Sequence, residues 1–326
     1  MSTPPVSSTP MYPSCEELHA FFTHQLKSWP DAAARYAALA GVETRLLTVD
    51  GMPFTLQFNP ARAVSSNAKT DAASIAARPC FLCSANRPAV QAAMPVGVGG
   101  RFGLLVNPFP IFREHFTVVD STHRRQQLDG GALRTLLGLA RNAPGYTWFY
   151  NGPRSGASAP DHLHLQGALD PSGTMSLTAT ALNGRRLLRR MGEATVAVCP
   201  GLPVRPFVVE GADVDAVARL VEAMIAAMPV REGEWEPRMN VYACATPHGS
   251  LEVVIVGREE HRPHQYFDGS LLTSPGAADM AGCFITTRRE DFNALNETTL
   301  ADILCQTRMA DEPFYQTILN VISTSL

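Results

Sequence analysis

A chain of 326 residues carries 27 Lys and Arg against 30 Asp and Glu, a formal charge of −3. That balance excludes attachment to nucleic acid or an anionic membrane by bulk charge alone, so neither partner is expected. Hydrophobic residues at 45% and charged residues at 17% exclude global disorder and allow a sizeable core, and the length suits about two domains.

Nearly all the cations are Arg, with Lys27 and Lys69 the exceptions. Genomic base composition explains such a bias, and so does the bidentate binding of phosphate at which Arg excels. Seven cysteines, an odd number in a chain this long, do not form a disulfide framework, and a cytoplasmic protein is expected. The start has no basic segment followed by an apolar one, and no run approaches the ~18 apolar residues of a membrane helix.

Residues 1–14, rich in Pro and Ser, read as a disordered start. Ser14 and Glu17 then have capping-box spacing before Leu18, Phe21, Phe22 and Leu26, which predicts a first helix. Thr44–Val49 and Phe54–Phe58 flank Asp50-Gly51 and form a hairpin candidate. Ser65–Asp71 is loop, followed by RPCFLCSANRP at Arg78–Pro88. Strands are expected at Phe102–Val106 and Phe116–Val119, joined by a Pro-containing connection that starts at Asn107. A helical pattern from Ala132 to Ala140 leads to a strand at Trp148–Tyr150, then NGPRSGASAPD and HLHLQ. Beyond about residue 170 come Arg185–Arg190, read as a helix face, and a strand in PVRPFVVEG. An amphipathic helix from Val214 to Met228 follows, with Asp213 as its N-cap, then a strand pair at Asn240–Cys244 and Leu251–Val256 and a final helix. The strand–strand–helix content of both halves suits two similar α+β units.

His162-Leu163-His164-Leu165-Gln166 concentrates the chemistry. Side chains two apart on a strand share a face, so His162, His164 and Gln166 point one way and the two leucines into a core. The preceding loop lets backbone N–H groups approach a phosphate, with hydroxyls at Ser155 and Ser158, the small Gly156, and a guanidinium at Arg154. Cys80 and Cys83 form a CxxC pair, a pattern shared by metal sites, redox sites and incidental thiols.

The segment YNGPRSGASAPDHLHLQ resembles the active-site strand of the histidine-triad superfamily in its HxHxQ branch. That branch holds galactose-1-phosphate uridylyltransferases, diadenosine tetraphosphate phosphorylases and GDP-hexose phosphorylases. LPVRPFVVEG at Leu202–Gly211 and the later DMAGCFITTRREDF are similar to the GDP-hexose phosphorylases, and the likeness runs loosely over residues 44–295. The resemblance implies an α+β fold of two histidine-triad-like halves with an antiparallel or mixed sheet flanked by helices. Residues 15–170 would be the catalytic half and 171–326 a degenerate half completing the pocket.

It further implies that His164 attacks the α-phosphate of a nucleotide and becomes covalently nucleotidylated, with Gln166 bonded to a phosphate oxygen. Asn151 would sit near the phosphates and Asn107 would line the nucleotide pocket. The uridylyltransferases imply a structural zinc on Cys80, Cys83, His123 and His162, with His115 competing for the place of His123. All four places being filled by protein, such a zinc has no position for an activated water. The expected reaction is phosphorolysis of a nucleotide sugar, a GDP-hexose first, with inorganic phosphate as acceptor; the resembled uridylyltransferases suggest a homodimer. Phosphorolysis of a dinucleoside polyphosphate and uridylyl exchange are the alternatives on the same fold. An inactive zinc-stabilised nucleotide-binding module is the alternative of another class.

Overall fold

The computed structural model describes residues 9–63, 71–309, 316–318 and 320; most of the loop expected at Ser65–Asp71 lies outside them. An eleven-stranded sheet and a smaller three-stranded one form the frame. Chain order gives β1 (Pro10–Met11), β2 (Glu43–Val49), β3 (Met52–Phe58), β4 (Met94–Val98), β5 (Phe102–Val106), β6 (Glu114–Asp120) and β7 (Tyr146–Asn151). Then come β8 (His164–Leu169), β9 (Arg186–Met191), β10 (Ala194–Val198), β11 (Phe207–Gly211), β12 (Met239–Ala245), β13 (Leu251–Gly257) and β14 (Cys283–Thr286).

The large sheet runs β1-β4-β5-β6-β8-β7-β12-β13-β11-β10-β9, and every adjacent pair is antiparallel. A repeat is visible in that order. Strands β4, β5 and β6, the helix Gly130–Asn142, then β7 and β8 make one unit. Strands β9, β10 and β11, the helix Val214–Ala227, then β12 and β13 make the other, with the same neighbour relations. The two units join where β7 pairs with β12, and β13 takes the place in its unit that β8 has in the first. Where β8 begins with His164, β13 reads Leu251-Glu252-Val253-Val254-Ile255-Val256-Gly257, without an imidazole.

Local chemistry explains the elements. Ser14 Oγ accepts from the N–H of Glu17 at 3.2 Å and Glu17 Oε2 accepts from the N–H of Ser14 at 2.8 Å, the reciprocal cap of the helix Cys15–Ser28. Asp213 caps Val214–Ala227 through the N–H of Ala216. Asp50 and Gly51 both have positive φ, 47° and 75°, as a two-residue hairpin turn between β2 and β3 requires.

Two expectations need correction. The disordered start is ordered from Thr9 within the described residues, because Pro10–Met11 pairs with the β4 edge at Gly97 and Val98. Arg185–Arg190 is not a helix face: Arg186–Met191 is β9, folded back onto β10 across Gly192, whose φ is 58°. A charged outer strand blunts an edge that would otherwise pair with another chain.

The two faces of the sheet carry different cores. One packs Phe102, Phe116, Trp148, Tyr150, Leu163 and Leu165 under the two long helices. The other packs Phe149, Ala168, Tyr242 and Val254 against the β14-β3-β2 sheet and the helix Glu297–Thr307. His164 and Gln166 project from this second face. No helix among the described residues is long and apolar enough to cross a membrane.

Candidate active site

Strand β8 starts at His164, so His162 sits just ahead of the strand rather than on it. Leu163 and Leu165 are fully buried in the helix-side core, and the alternation sends His164 and Gln166 to the opposite side. Gln126, itself fully buried, clamps the strand start: its Oε1 accepts the His164 N–H at 2.8 Å, and its Nε2 donates to the carbonyls of His164 and Asn151 at 2.9 and 2.8 Å.

The hydrogen bonds assign the tautomer of His164. Its Nδ1 lies 2.8 Å from the His162 carbonyl, an acceptor only, so Nδ1 carries the proton and Nε2 keeps its lone pair. Burial lowers this imidazole to about 4, so the ring is neutral near pH 7. A neutral imidazole with a free Nε2, held by its backbone, is a nucleophile in its reactive form.

Gln166 is oriented from behind. The N–H of Ile111 donates to His115 Nδ1 at 3.3 Å, which leaves the proton on Nε2, and Nε2 donates to Gln166 Oε1 at 2.9 Å. Burial, with Arg62 nearby, drives His115 down to about 3 and keeps it neutral. The Gln166 amide group is thereby left as a donor.

Two spaces meet at Gln166 and Ser158. The larger is a cleft of about 1020 Å³ with His164 and Gln166 on its wall and Trp29, Phe81, Leu82 and Phe109 among its apolar surfaces. It is the size and character of a pocket for a nucleoside-sized ligand. The smaller, about 110 Å³, is polar and bounded by Asn151, Arg62, His261, Arg262, Ser274 and Asp279 together with Gln166 and Ser158. His261, Arg262, Ser274 and Asp279, which close the small space, come from the segment that follows β13.

Cys80, Cys83, His123 and His162 converge beside it, with four ligand atoms within 4.8 Å of one another. Cys80 Sγ is 3.3 Å from His162 Nδ1, and Cys83 Sγ is 3.2 Å from His123 Nδ1 and 3.5 Å from His162 Nδ1. Sulfur–nitrogen edges of about 3.5 Å are what bonds of ~2.3 and ~2.0 Å produce in a tetrahedral site. His162 Nε2 is 2.8 Å from the Asp120 carbonyl, so its proton sits there and the Nδ1 lone pair is available to a metal. The donor set and its spacing fit zinc. His115 lies elsewhere, under Gln166, and does not compete with His123.

The phosphate-loop residues fall in different places. Ser158 lines both spaces and Gly156 lines the small one. Gly156 has φ of 98°, and a Cβ there would meet Gly276 Cα at 2.3 Å, so two loops touch at that point. Asn151 lines the small cavity, but its Oδ1 already accepts from Ala277 N at 2.7 Å and Asn240 Nδ2 at 3.1 Å. Asn107 lines the cleft, with its amide donating to Thr117 Oγ1 and its Oδ1 holding the N–H of Phe109. Ser155 is fully buried and bounds neither space, and Arg154 is exposed outside both. Thr117 and Gln126 have no counterpart among the expected site residues, and His115 was expected only as a zinc ligand in place of His123. Alternation of polar residues at 115 and 117 in an apolar strand was the available signal for His115 and Thr117.

A family profile described as "Domain of unknown function (DUF4922)" matches residues 21–169. A search of curated proteins gives no match. Among solved structures, yeast Ap4A phosphorylase Apa2 is similar with a TM-score of 0.61 at 18% identity, over 94% of this chain and 99% of that one. The same enzyme in complex with Ap4A gives 0.63 at 19% identity, over 93% and 100%, and in complex with AMP 0.58 at 19%, over 87% and 96%. This chain therefore shares the histidine-triad-like α+β fold of that phosphorylase.

Proposed function

We propose that this protein is a nucleotidyltransferase of the phosphorylase type, working through a covalent nucleotidyl-His164. The observation that carries the reading is the His164 ring: Nδ1–H fixed on the His162 carbonyl, Nε2 free, and the ring on the wall of a nucleoside-sized cleft beside Gln166. In the first half-reaction Nε2 attacks the α-phosphorus. The P–N bond forms, the P–O bond to the leaving group breaks, and the leaving oxygen takes that electron pair. The His162 carbonyl faces the positive charge that grows on the ring, and the Gln166 amide donates to a phosphate oxygen. In the second half-reaction an oxygen of inorganic phosphate attacks the same phosphorus. The P–N bond breaks, its electron pair returns to Nε2, and a nucleoside diphosphate leaves.

A dinucleoside polyphosphate is the favoured substrate, ahead of the GDP-hexose suggested by Leu202–Gly211. The support is the fold shared along nearly the whole chain with an Ap4A phosphorylase, and a second, cationic space next to the nucleoside cleft. Zinc on Cys80, Cys83, His123 and His162 would be structural. It would pin the loop that carries Phe81 and Leu82 into the cleft wall, next to the strand start that carries His164.

The test incubates the enzyme and phosphate with diadenosine tetraphosphate, GDP-hexoses and UDP-hexoses separately. Phosphate-dependent release of ADP and ATP from the dinucleotide, absent in His164→Ala, supports the reading. Faster phosphate-dependent release of GDP from a GDP-hexose would move the substrate to the nucleotide sugar. No phosphate-dependent turnover of any of them would contradict it.

A further inference from the structure

Cationic groups without carboxylate partners gather around the small cavity. Arg262 lines it, stacked on Tyr266 with its guanidinium carbon 4.1 Å from the ring centroid, and its Nε donates to Ser274 Oγ at 3.1 Å. Its two Nη groups have no protein acceptor among the described residues. Arg258 lies behind, 1% exposed, with Nε on the Thr307 carbonyl, Nη1 on Asn240 Oδ1 at 2.7 Å and Nη2 unpartnered. Neither guanidinium forms an ion pair, unlike Arg238, which Glu234 holds at 2.7 Å.

Burying a cation without a counter-charge is expensive, and an anion in the adjoining space removes much of that cost. Among the described residues the carboxylate on the cavity wall is Asp279, which offsets part of the charge of Arg62 and Arg258 but forms no ion pair with Arg262. The two oxygens of Asp279 accept the N–H groups of Gly276 and Ile285, and burial raises it to about 6. Burial, with Arg262 and Arg258 nearby, drives His261 down to about 3 and keeps it neutral. His261 Nε2 lies 3.4 Å from Ser274 Oγ, so a neutral imidazole and a hydroxyl flank the guanidinium. The cavity, about 110 Å³, accommodates a tetrahedral oxyanion and is too small for a nucleoside.

We infer that this cavity is an anion subsite in which Arg262 and Ser274 bind inorganic phosphate and deliver it to the reacting phosphorus. The inference rests on the phosphorylase reading for the use made of the anion, but not for its binding. Cavity and cleft share Gln166 and Ser158, so a phosphate seated at Arg262 lies beside the group that Gln166 holds. Phosphate entering there attacks the nucleotidyl phosphorus, the P–O bond forms, and the P–N bond to His164 breaks as above.

The experiment has two arms, each run on the full chain and on Arg262→Gln, Arg262→Lys and Ser274→Ala. In the first, equilibrium dialysis measures binding of radiolabelled inorganic phosphate to the free protein. One phosphate per chain is expected for the wild type, with affinity at least tenfold weaker in Arg262→Gln and partly restored in Arg262→Lys. No binding by the wild type, or equal affinity in wild type and Arg262→Gln, would overturn the inference. In the second arm, nucleotidyl-enzyme formed without phosphate is mixed with increasing phosphate. The concentration giving half-maximal breakdown is expected to rise at least tenfold in Arg262→Gln. An unchanged half-maximal concentration would also overturn it. Phosphate binding that depends on Arg262 in a protein forming no nucleotidyl adduct would sink the phosphorylase reading and leave the anion site standing.

Discussion

His115 Nε2 lies 2.9 Å from Gln166 Oε1, across the β6–β8 pair that also sets Thr117 opposite Gln166. Because Ile111 N–H occupies the other ring nitrogen, the contact has a direction, and it turns the Gln166 amide group into the donor for a phosphate oxygen. His115→Phe removes the donor while keeping a ring in the pocket formed by Phe112 and Phe149. The expected result is a fall in kcat of about tenfold to a hundredfold with KM for the nucleotide changed little, the size of losing one preorganised donor. His115→Asn, which can still donate, is expected to recover part of the rate. A rise in KM at unchanged kcat would show that the pair serves binding alone.

Gly167 follows Gln166 and faces the helix-side core, where the Trp148 ring occupies its missing side chain. A Cβ at Gly167 would stand 2.2 Å from Trp148 Cε3. Gly167→Ala is therefore expected to cost about 1–3 kcal/mol in urea unfolding through overpacking. The same substitution in a Trp148→Phe background should cost clearly less. Equal costs in both backgrounds would remove the ring as the cause.

Elemental analysis of the purified protein is expected to find about one zinc per chain, lost in Cys83→Ser. Because the four ligands come from separate segments, at 80–83, 123 and 162, metal loss is expected to lower Tm by more than about 5 °C. A metal-free protein with the same Tm, before and after a chelator, would leave the four residues as a hydrogen-bonded cluster.

Glu236 couples the two sheet units. Its carboxyl group takes the Tyr150 hydroxyl on one oxygen and the Leu128 N–H on the other at 2.9 Å. The neighbouring Trp235 indole donates to the carbonyl of Gln126, the residue that clamps His164. Burial raises Glu236 from its usual 4.5 to about 7. Between those values the unfolded chain has released the proton and the folded chain keeps it, so this group takes stability away as pH rises and its full cost is felt above about 7. Glu236→Gln removes that dependence. From pH 5 to pH 8 the stability of the variant relative to wild type is expected to improve by about 2–3 kcal/mol, measured by urea unfolding at each pH. Parallel pH profiles would contradict this assignment.

His164 and Gln166 were legible because strand alternation is a strict rule: once Leu163 and Leu165 belong to a core, their neighbours must face the other way. Cys80, Cys83, His123 and His162 were legible as a candidate metal set by residue type and by the resemblance, which favoured His123 over His115, and the fold brings these four together while His115 lies under Gln166. Arg185–Arg190 misled because RRLLRR satisfies helical and strand spacing equally. The pairing of β9 with β10 across Gly192 decides it, and no local propensity reports that. The cleft wall was out of reach for a related reason. Trp29, Phe81 and Phe109 come from three separate segments and meet only through long-range packing. The unpaired state of Arg258 and Arg262 is likewise a property of their surroundings, invisible in a chain rich in arginine.

The central claim is a covalent nucleotide on His164, and intact-protein and peptide mass spectrometry after mixing with diadenosine tetraphosphate in phosphate-free buffer tests it most directly. The account predicts an adenylyl adduct on the peptide bearing His164, discharged as ADP on adding phosphate and absent from His164→Ala. Phosphate-dependent turnover with no adduct at His164, or an adduct that persists in His164→Ala, would contradict it.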